Sequence, residues 1–271
     1  MGALAAAVVT SLQELKKMLF SRQDFELFQA LLGRDLKAKY KSTVIGYFWS
    51  LILPLAQTMI FFTVFSIFLR FQITDYFLFL SIGFMIWQFF SNTLQQCATI
   101  FLVNGYLLKK TRAPRIIFIW ASAGSELVHL LVSLPVLLGI MLCCGRVPHL
   151  LPLLLLPLTL LTTVMFSVGI GLFIAILNVY FRDLERILQI ILQIWFYGTP
   201  VFYSIQQIPE KYHSILQINP MFFYIALWRD VFYEPACPLW YYLVALLWGA
   251  AIFAAGYIFF RHKQKNLAEV V

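Results

Sequence analysis

Charge is scarce in this chain. Of its 271 residues only 12% are Asp, Glu, Lys or Arg, against 62% hydrophobic, and the mean hydropathy is +0.84. That balance excludes a soluble globular domain. Also missing are a G-x-x-x-x-G-K-[ST] phosphate loop, a Gly-x-Ser-x-Gly elbow, an H-E-x-x-H helix and a clustered acidic metal motif. His129, His149, His213 and His262 are dispersed. Cys97, Cys143, Cys144 and Cys237 have neither zinc spacing nor the pattern of a secreted disulfide framework, so they are expected to be buried thiols. A membrane enzyme of glycan or lipid metabolism would place several polar catalytic groups near one interface, and few are available here. No enzyme is expected; energy for any active process has to come from elsewhere. Residues 2–9 are too short and too weakly charged for a convincing signal peptide, so the first span is expected to direct insertion.

The chain is instead built of apolar runs, each near the ~20 residues needed to cross a ~30 Å hydrocarbon core as a helix. Short alternating segments of the outer-membrane barrel type are not seen. The net charge of +8 is distributed by connection. All Lys and Arg except Arg70, Arg146, Lys211 and Arg229 fall in alternate connections or near the termini. This positive-inside pattern predicts six spans with both termini in the cytoplasm, and it explains the basicity without nucleic acid. The expected class is an all-α integral membrane protein. Residues 1–43 would form cytoplasmic amphipathic helices, 44–260 the six-span domain, and 261–271 a cytoplasmic tail.

Leu12, Leu15 and Leu19 recur at helical spacing, as expected for a helix lying on the inner membrane surface. A second helix is predicted to start at Asp24 as cap, with Phe25, Phe28, Leu32 and Leu36 on one stripe and Arg34, Lys37 and Lys41 on another. Those cations suit either a protein partner or anionic headgroups. The spans are then expected over 44–69, kinked at Pro54, and over 76–103, 116–144, 150–180, 187–202 and 239–260. Gly169 and Gly171 offer close helix approach in the fourth.

The fifth run is too short to cross alone and meets Gly198-Thr199-Pro200. The segment beyond it, about 204–237, stays rich in aromatics instead of becoming a hydrophilic loop. Pro209 is predicted to open one helix, and Asn219-Pro220 another, with Asn as cap and Pro in the first turn. Because MFFYIALW, from Met221, is apolar on every side, this segment reads as a re-entrant helical pair on the outer side, with an interfacial loop as the alternative.

Glu126 and His129 are i, i+3 neighbours about ten residues into the third span. A carboxyl group at that depth is a pathway group, half of a structural pair with a histidine, or a protonated Glu. Glu-x-x-His is also half of a di-iron ligand set, but the other spans supply no matching glutamates. Aromatics make up 17% of the chain and gather at Tyr47, Trp49 and Phe62 and at Trp195, Tyr197 and Tyr203. Such faces can line a wall for sugar rings, although interfacial belts use the same residues.

The strings GRDLKAKYKSTVIGYFWSLILPL (from Gly33), LLKKTRAPRIIF (from Leu107), NVYFRDLERILQIILQIWFYGTPVFY (from Asn178) and IPEKYHSILQINPM (from Ile208) resemble, in order, the permease subunit of ABC-2 type polysaccharide exporters. Those proteins export O-antigen, capsular polysaccharide or teichoic acid. The resemblance implies a homodimer in the bacterial inner membrane, joined to two copies of a separate ATP-binding subunit that carries ATP and Mg, with no cofactor on this chain. It implies ATPase-coupling roles for Arg34, Asp35, Lys37 and Lys41 and for Lys109, Lys110 and Arg112. A lipid-linked polysaccharide, O-antigen first, would pass along the dimer axis beside Tyr47, Trp49, Phe62, Glu126, Trp195, Tyr197 and Tyr203, and Pro200, Pro209, Asn219 and Pro220 would shape the outer gate. An ABC-2 permease for a drug or small lipid, a membrane-embedded enzyme and a passive scaffold or channel are the alternatives.

Overall fold

The computed structural model describes residues 22–40, 49–110, 113–235 and 237–264, and among these it is helical with no strand. The helices are α1 (Arg22–Tyr40), α2 (Trp49–Phe62), α3 (Tyr76–Val103), α4 (Gly105–Lys110), α5 (Ile116–Cys143), α6 (Leu150–Tyr180), α7 (Leu184–Tyr197), α8 (His213–Ile218), α9 (Pro220–Phe232) and α10 (Leu239–Lys263). Five stretches are long and apolar enough to cross a membrane: Leu51–Phe68, Tyr76–Val103, Ile116–Cys143, Leu150–Tyr180 and Leu239–Lys263.

The centre of the fold is α3. Its side chains from Leu78 to Phe90 are buried almost without interruption, because α2, α5, α6, α7 and α9 surround it. Around it lie two apolar clusters. One joins the first half of α3 to α9 and parts of α5 and α6; the other joins the end of α3 to the start of α5, the end of α6 and Leu31 of α1. Helices α6 and α10 meet backbone to backbone. A Cβ on Gly256 would lie 2.3 Å from the carbonyl oxygen of Gly169, so only glycine fits that crossing. Gly171 is equally tight, against Cys97 Sγ at 2.7 Å.

Four features differ in detail from expectation, the first being that of the four cysteines only Cys97 is buried, with Cys143 exposed and Cys144 and Cys237 partly so. Asp24 is not the cap of α1: the helix already runs from Arg22, with Arg22 Nε 3.2 Å from Glu26 Oε1 one turn on. Asp24 instead sits in the first turn, where its charge meets the positive helix end. Helix α2 contains Pro54 and passes after Phe62 into a π-helical stretch, Thr63–Phe68, which is not expected from the sequence. The fifth apolar run forms α7, which starts earlier than expected and has only 14 residues, a rise of about 21 Å. It ends at Gly198 because Thr199 Oγ1 turns back to the Trp195 carbonyl at 2.7 Å and Pro200 cannot continue the helix.

The segment after α7 is ordered by short-range chemistry. Ser204 and Gln207 form a capping box around a 3₁₀ turn, and Pro209 precedes a second turn that leads into α8. Asn219 then caps α9 by accepting from Met221 N at 3.0 Å, with Pro220 in the first turn. As its all-round apolarity requires, α9 is buried in protein: Trp228 and Tyr224 are fully enclosed, donating to Thr163 Oγ1 at 3.1 Å and to the Ala245 carbonyl at 2.8 Å. The predicted helix over residues 12–19 lies outside the described residues.

Candidate functional site

Between α2, α3 and α7 the surface opens into a cleft of about 560 Å³. Its polar lining comes from amide rows at helical spacing. On α3, Gln88, Asn92 and Gln95 succeed one another at four- and three-residue steps; on α7, Gln189 and Gln193 are four apart; Gln57 faces them from α2. Phe61, Phe84, Trp87, Phe196 and Tyr197 supply aromatic walls. Along α3 the lining runs from Phe84 to Gln95, about 17 Å at 1.5 Å per residue.

The strong amphipathicity of α7 explains how it shapes this cleft. Leu188 and Leu192 are buried against the bundle, Gln189 and Gln193 turn to the cleft, and Ile187, Ile190, Ile191 and Ile194 are left exposed. An aromatic seam braces the wall, with the Phe61 ring 4.9 Å from Phe84 and 6.0 Å from Phe196, and Phe90 edge-on to Trp195 at 5.2 Å.

Several polar groups of the wall and behind it are tied down. Gln88 Nε2 donates to Gln57 Oε1 at 2.6 Å, linking α3 to α2. Glu126 is 2% exposed and lies behind the cleft; its carboxylate accepts from Asn92 Nδ2 at 3.2 Å and from Gln96 Nε2. Gln96 in turn accepts from Ser122 at 3.0 Å. A buried carboxylate offers only acceptors, so it takes the amino side of both amides and fixes which way they point. His129 lies one turn further along the same helix and is partly buried.

Of the other expected channel residues, Tyr197 reaches the cleft. Trp195 faces inward and donates to Asn219 Oδ1 at 2.8 Å; Phe62 packs on Tyr76 and Phe77; Tyr203 donates to the Tyr197 carbonyl at 3.3 Å. Of the expected gate residues, Pro200, Asn219 and Pro220 lie together where α7 ends and α9 begins. Asn219 joins α7 to α9, donating to Thr199 Oγ1 at 2.8 Å and to the Gly198 carbonyl at 3.2 Å. Arg229 of α9 grips the turn after α7 through the carbonyls of Pro200 and Val201, both at 2.7 Å, and lies 3.4 Å from the Phe79 ring centre. Pro209 sits at the start of the turn that leads to α8.

A second polar group of residues lies at the turns joining α2 to α3 and α5 to α6. Arg146 is 2.6 Å from Asp75 and also donates to the Tyr233 carbonyl at 2.5 Å, while Tyr233 donates to the Thr74 carbonyl at 2.6 Å. Nearby, burial and then the charge of Asp230 push the Cys237 thiol up to about 12.

At the opposite end of α3 the expected coupling residues gather. Arg34 of α1 donates to Asn104, the single residue between α3 and α4, at 2.7 Å, and to Asp35 at 2.8 Å. Lys37 is exposed on α1, and Lys109 and Lys110 are exposed on the last turn of α4. Lys41, Tyr47 and Arg112 lie outside the described residues, as does the side chain of Trp49.

The amide rows are not among the channel residues expected from the sequence, where aromatics stood out. Their signal is nevertheless there, as Gln and Asn at helical spacing within apolar spans.

The match to known proteins covers most of the molecule. Residues 26–233 match the ABC-2 type transporter family. The chain belongs to that family. As an ABC-2 type transporter chain it is similar to the O-antigen export system permease protein RfbA of Klebsiella pneumoniae, with 32% identity over 91% of this chain and 95% of the relative. It is 28% identical to the protein of that name from Myxococcus xanthus, over 83% of this chain and 90% of the relative. With the polysialic acid transport protein KpsM of Escherichia coli it shares 24% identity, over 78% of this chain and 84% of the relative. The ABC-2 match takes in α2, α3 and α7, the helices that form the cleft.

Proposed function

We propose that this chain is the membrane subunit of an ATP-driven exporter of lipid-linked polysaccharide, with O-antigen the first candidate, and that the cleft between α2, α3 and α7 is one half of the glycan path. One observation carries the reading: amides at the mid-depth of α3 open onto a cavity. Gln88 and Asn92 spend one donor each on Gln57 and Glu126, and their remaining bonding capacity, with that of Gln95, is suited to water or a hydroxyl-rich ligand. The aromatic walls add apolar faces for sugar rings. The names of the relatives point to the same cargo.

The exposed apolar faces of α7 and α2 flank the cleft and suit a second copy of the chain, which would close the half-path into a channel on a two-fold axis. In this arrangement α7 and the segment after it together make a sixth crossing, with α8 and α9 as re-entrant gate helices near the outer face. Both termini lie in the cytoplasm of the inner membrane. Helix α1 and the basic end of α4 meet a separate ATP-binding subunit, present in two copies, which binds ATP and Mg.

Purification from the native host in mild detergent tests this. A stoichiometric ATP-binding subunit, two copies of each chain and ATP hydrolysis by the complex are expected. A chain that emerges alone and without nucleotide-dependent activity contradicts the proposal.

A further inference from the structure

The cleft is polar without being charged. Its polar lining consists of Gln57, Gln88, Asn92, Gln95, Gln189 and Gln193 with Ser91; no Lys, Arg, Asp or Glu belongs to it among the described residues. Arg182 precedes α7, and Arg186 is exposed in its first turn, three residues before Gln189 and outside the lining.

We propose, resting on the exporter reading above, that this cleft takes an uncharged glycan and disfavours a polyanionic one. A primary amide both donates and accepts, and so does a sugar hydroxyl, so two amide rows can exchange bonds with a neutral polymer in many registers. None of those registers has to be unique, which suits a polymer that slides. A carboxylate or phosphate on the polymer makes a different demand. It offers acceptors only, and at membrane depth its charge needs a cation or several aligned donors in place of its lost water.

The wall is set against that demand in two ways. One amide hydrogen of Asn92 is committed to Glu126 at 3.2 Å, which fixes the orientation of that amide and reduces the donors it can offer. Gln88 likewise spends a donor on Gln57 at 2.6 Å. The group immediately behind Asn92 is the Glu126 side chain, which accepts from both Asn92 and Gln96, so an anion in the cleft finds no cation there. A neutral hydroxyl meets no such penalty.

The test is chemical. The gene is deleted in the native host, the lipid-linked glycan that accumulates inside the cell is extracted, and its sugars are analysed for uronic acid, sialic acid and phosphate. A polymer whose repeat unit consists of neutral sugars is expected. An accumulated polymer with an acidic group in each repeat overturns the inference and leaves the exporter reading standing. If no glycan accumulates and the surface polysaccharide is unchanged, the exporter reading fails, and this inference with it.

Discussion

Arg34 of α1 donates to Asn104 at 2.7 Å, between residues 70 positions apart, and Asn104 is where α3 ends and α4 begins. The bond is charge-assisted, and its acceptor residue is 2% exposed. Asn104 is held from both sides, because its own Nδ2 donates to the Ile100 carbonyl at 2.8 Å. Beside the apolar contact made by Leu31, this bond gives α1 a polar link to the end of α3.

Replacing Asn104 with Ala removes that strut and leaves Arg34 with Asp35. The expected cost is about 1–3 kcal/mol in stability. Export per ATP hydrolysed by the purified complex should fall several-fold while hydrolysis continues. An unchanged ratio would show that α1 and α3 move together without this bond.

The pair Asp75–Arg146 closes the other end of the molecule. Both side chains are about a quarter exposed, at 27% and 24%, and Arg146 also holds the Tyr233 carbonyl. Burial opposes the guanidinium charge, but the bond to Asp75 and its charge outweigh this and move Arg146 up. Arg146→Ala and Asp75→Ala should each destabilise the protein by roughly 1–2 kcal/mol, and the double variant by less than their sum. Thermal unfolding in detergent checks this; strictly additive losses would mean that the two residues act apart.

Asn219 uses both ends of its amide, accepting from Trp195 and Met221 and donating to Thr199 and Gly198. Asn219→Ala loses a helix cap and leaves the Trp195 ring nitrogen without its acceptor, for an expected loss of about 2–3 kcal/mol. Faster hydrogen exchange across residues 198–222 is the direct readout. Protection equal to the parent protein would show that Arg229 alone secures the turn.

At the crossing of α6 and α10, Gly256→Ala brings a methyl group to 2.3 Å from the Gly169 carbonyl oxygen. Since that oxygen belongs to backbone, the helices must separate, at about 1–3 kcal/mol. Gly33, with nothing within 4 Å of its added Cβ, is the control: Gly33→Ala should leave the melting temperature unchanged or raise it. Equal losses at both positions would rule out helix contact as the cause.

Much of this architecture is readable in the chain, for local reasons. The spans Tyr76–Val103 and Leu150–Tyr180 end where apolar runs end, and α9 starts at Asn219-Pro220 because cap and ring chemistry act within a few residues. The partners of Glu126 are not readable that way. Asn92 and Gln96 belong to another helix, and only the packing of α3 on α5 brings them within reach. The π-helical stretch Thr63–Phe68 has no proline or glycine to announce it. Asp24 has the chemistry of a cap, but Arg22 and Gln23 favour helix as well, and α1 extends past it. The aromatics divide in the same way: Tyr197 faces the cleft and Trp195 the interior, a difference set by the rotation of α7 against its neighbours.

Filling the cleft tests the account most directly. Gln57 and Gln193 are exposed residues on facing walls, so Gln57→Trp with Gln193→Trp narrows the path with no buried side chain replaced, at the loss of the exposed Gln57–Gln88 bond. Surface polysaccharide is then measured beside complex assembly and ATP hydrolysis. The account predicts an assembled complex that still hydrolyses ATP, a surface polysaccharide reduced at least tenfold, and lipid-linked glycan retained inside the cell. Full surface polysaccharide from cells carrying the filled cleft would contradict it.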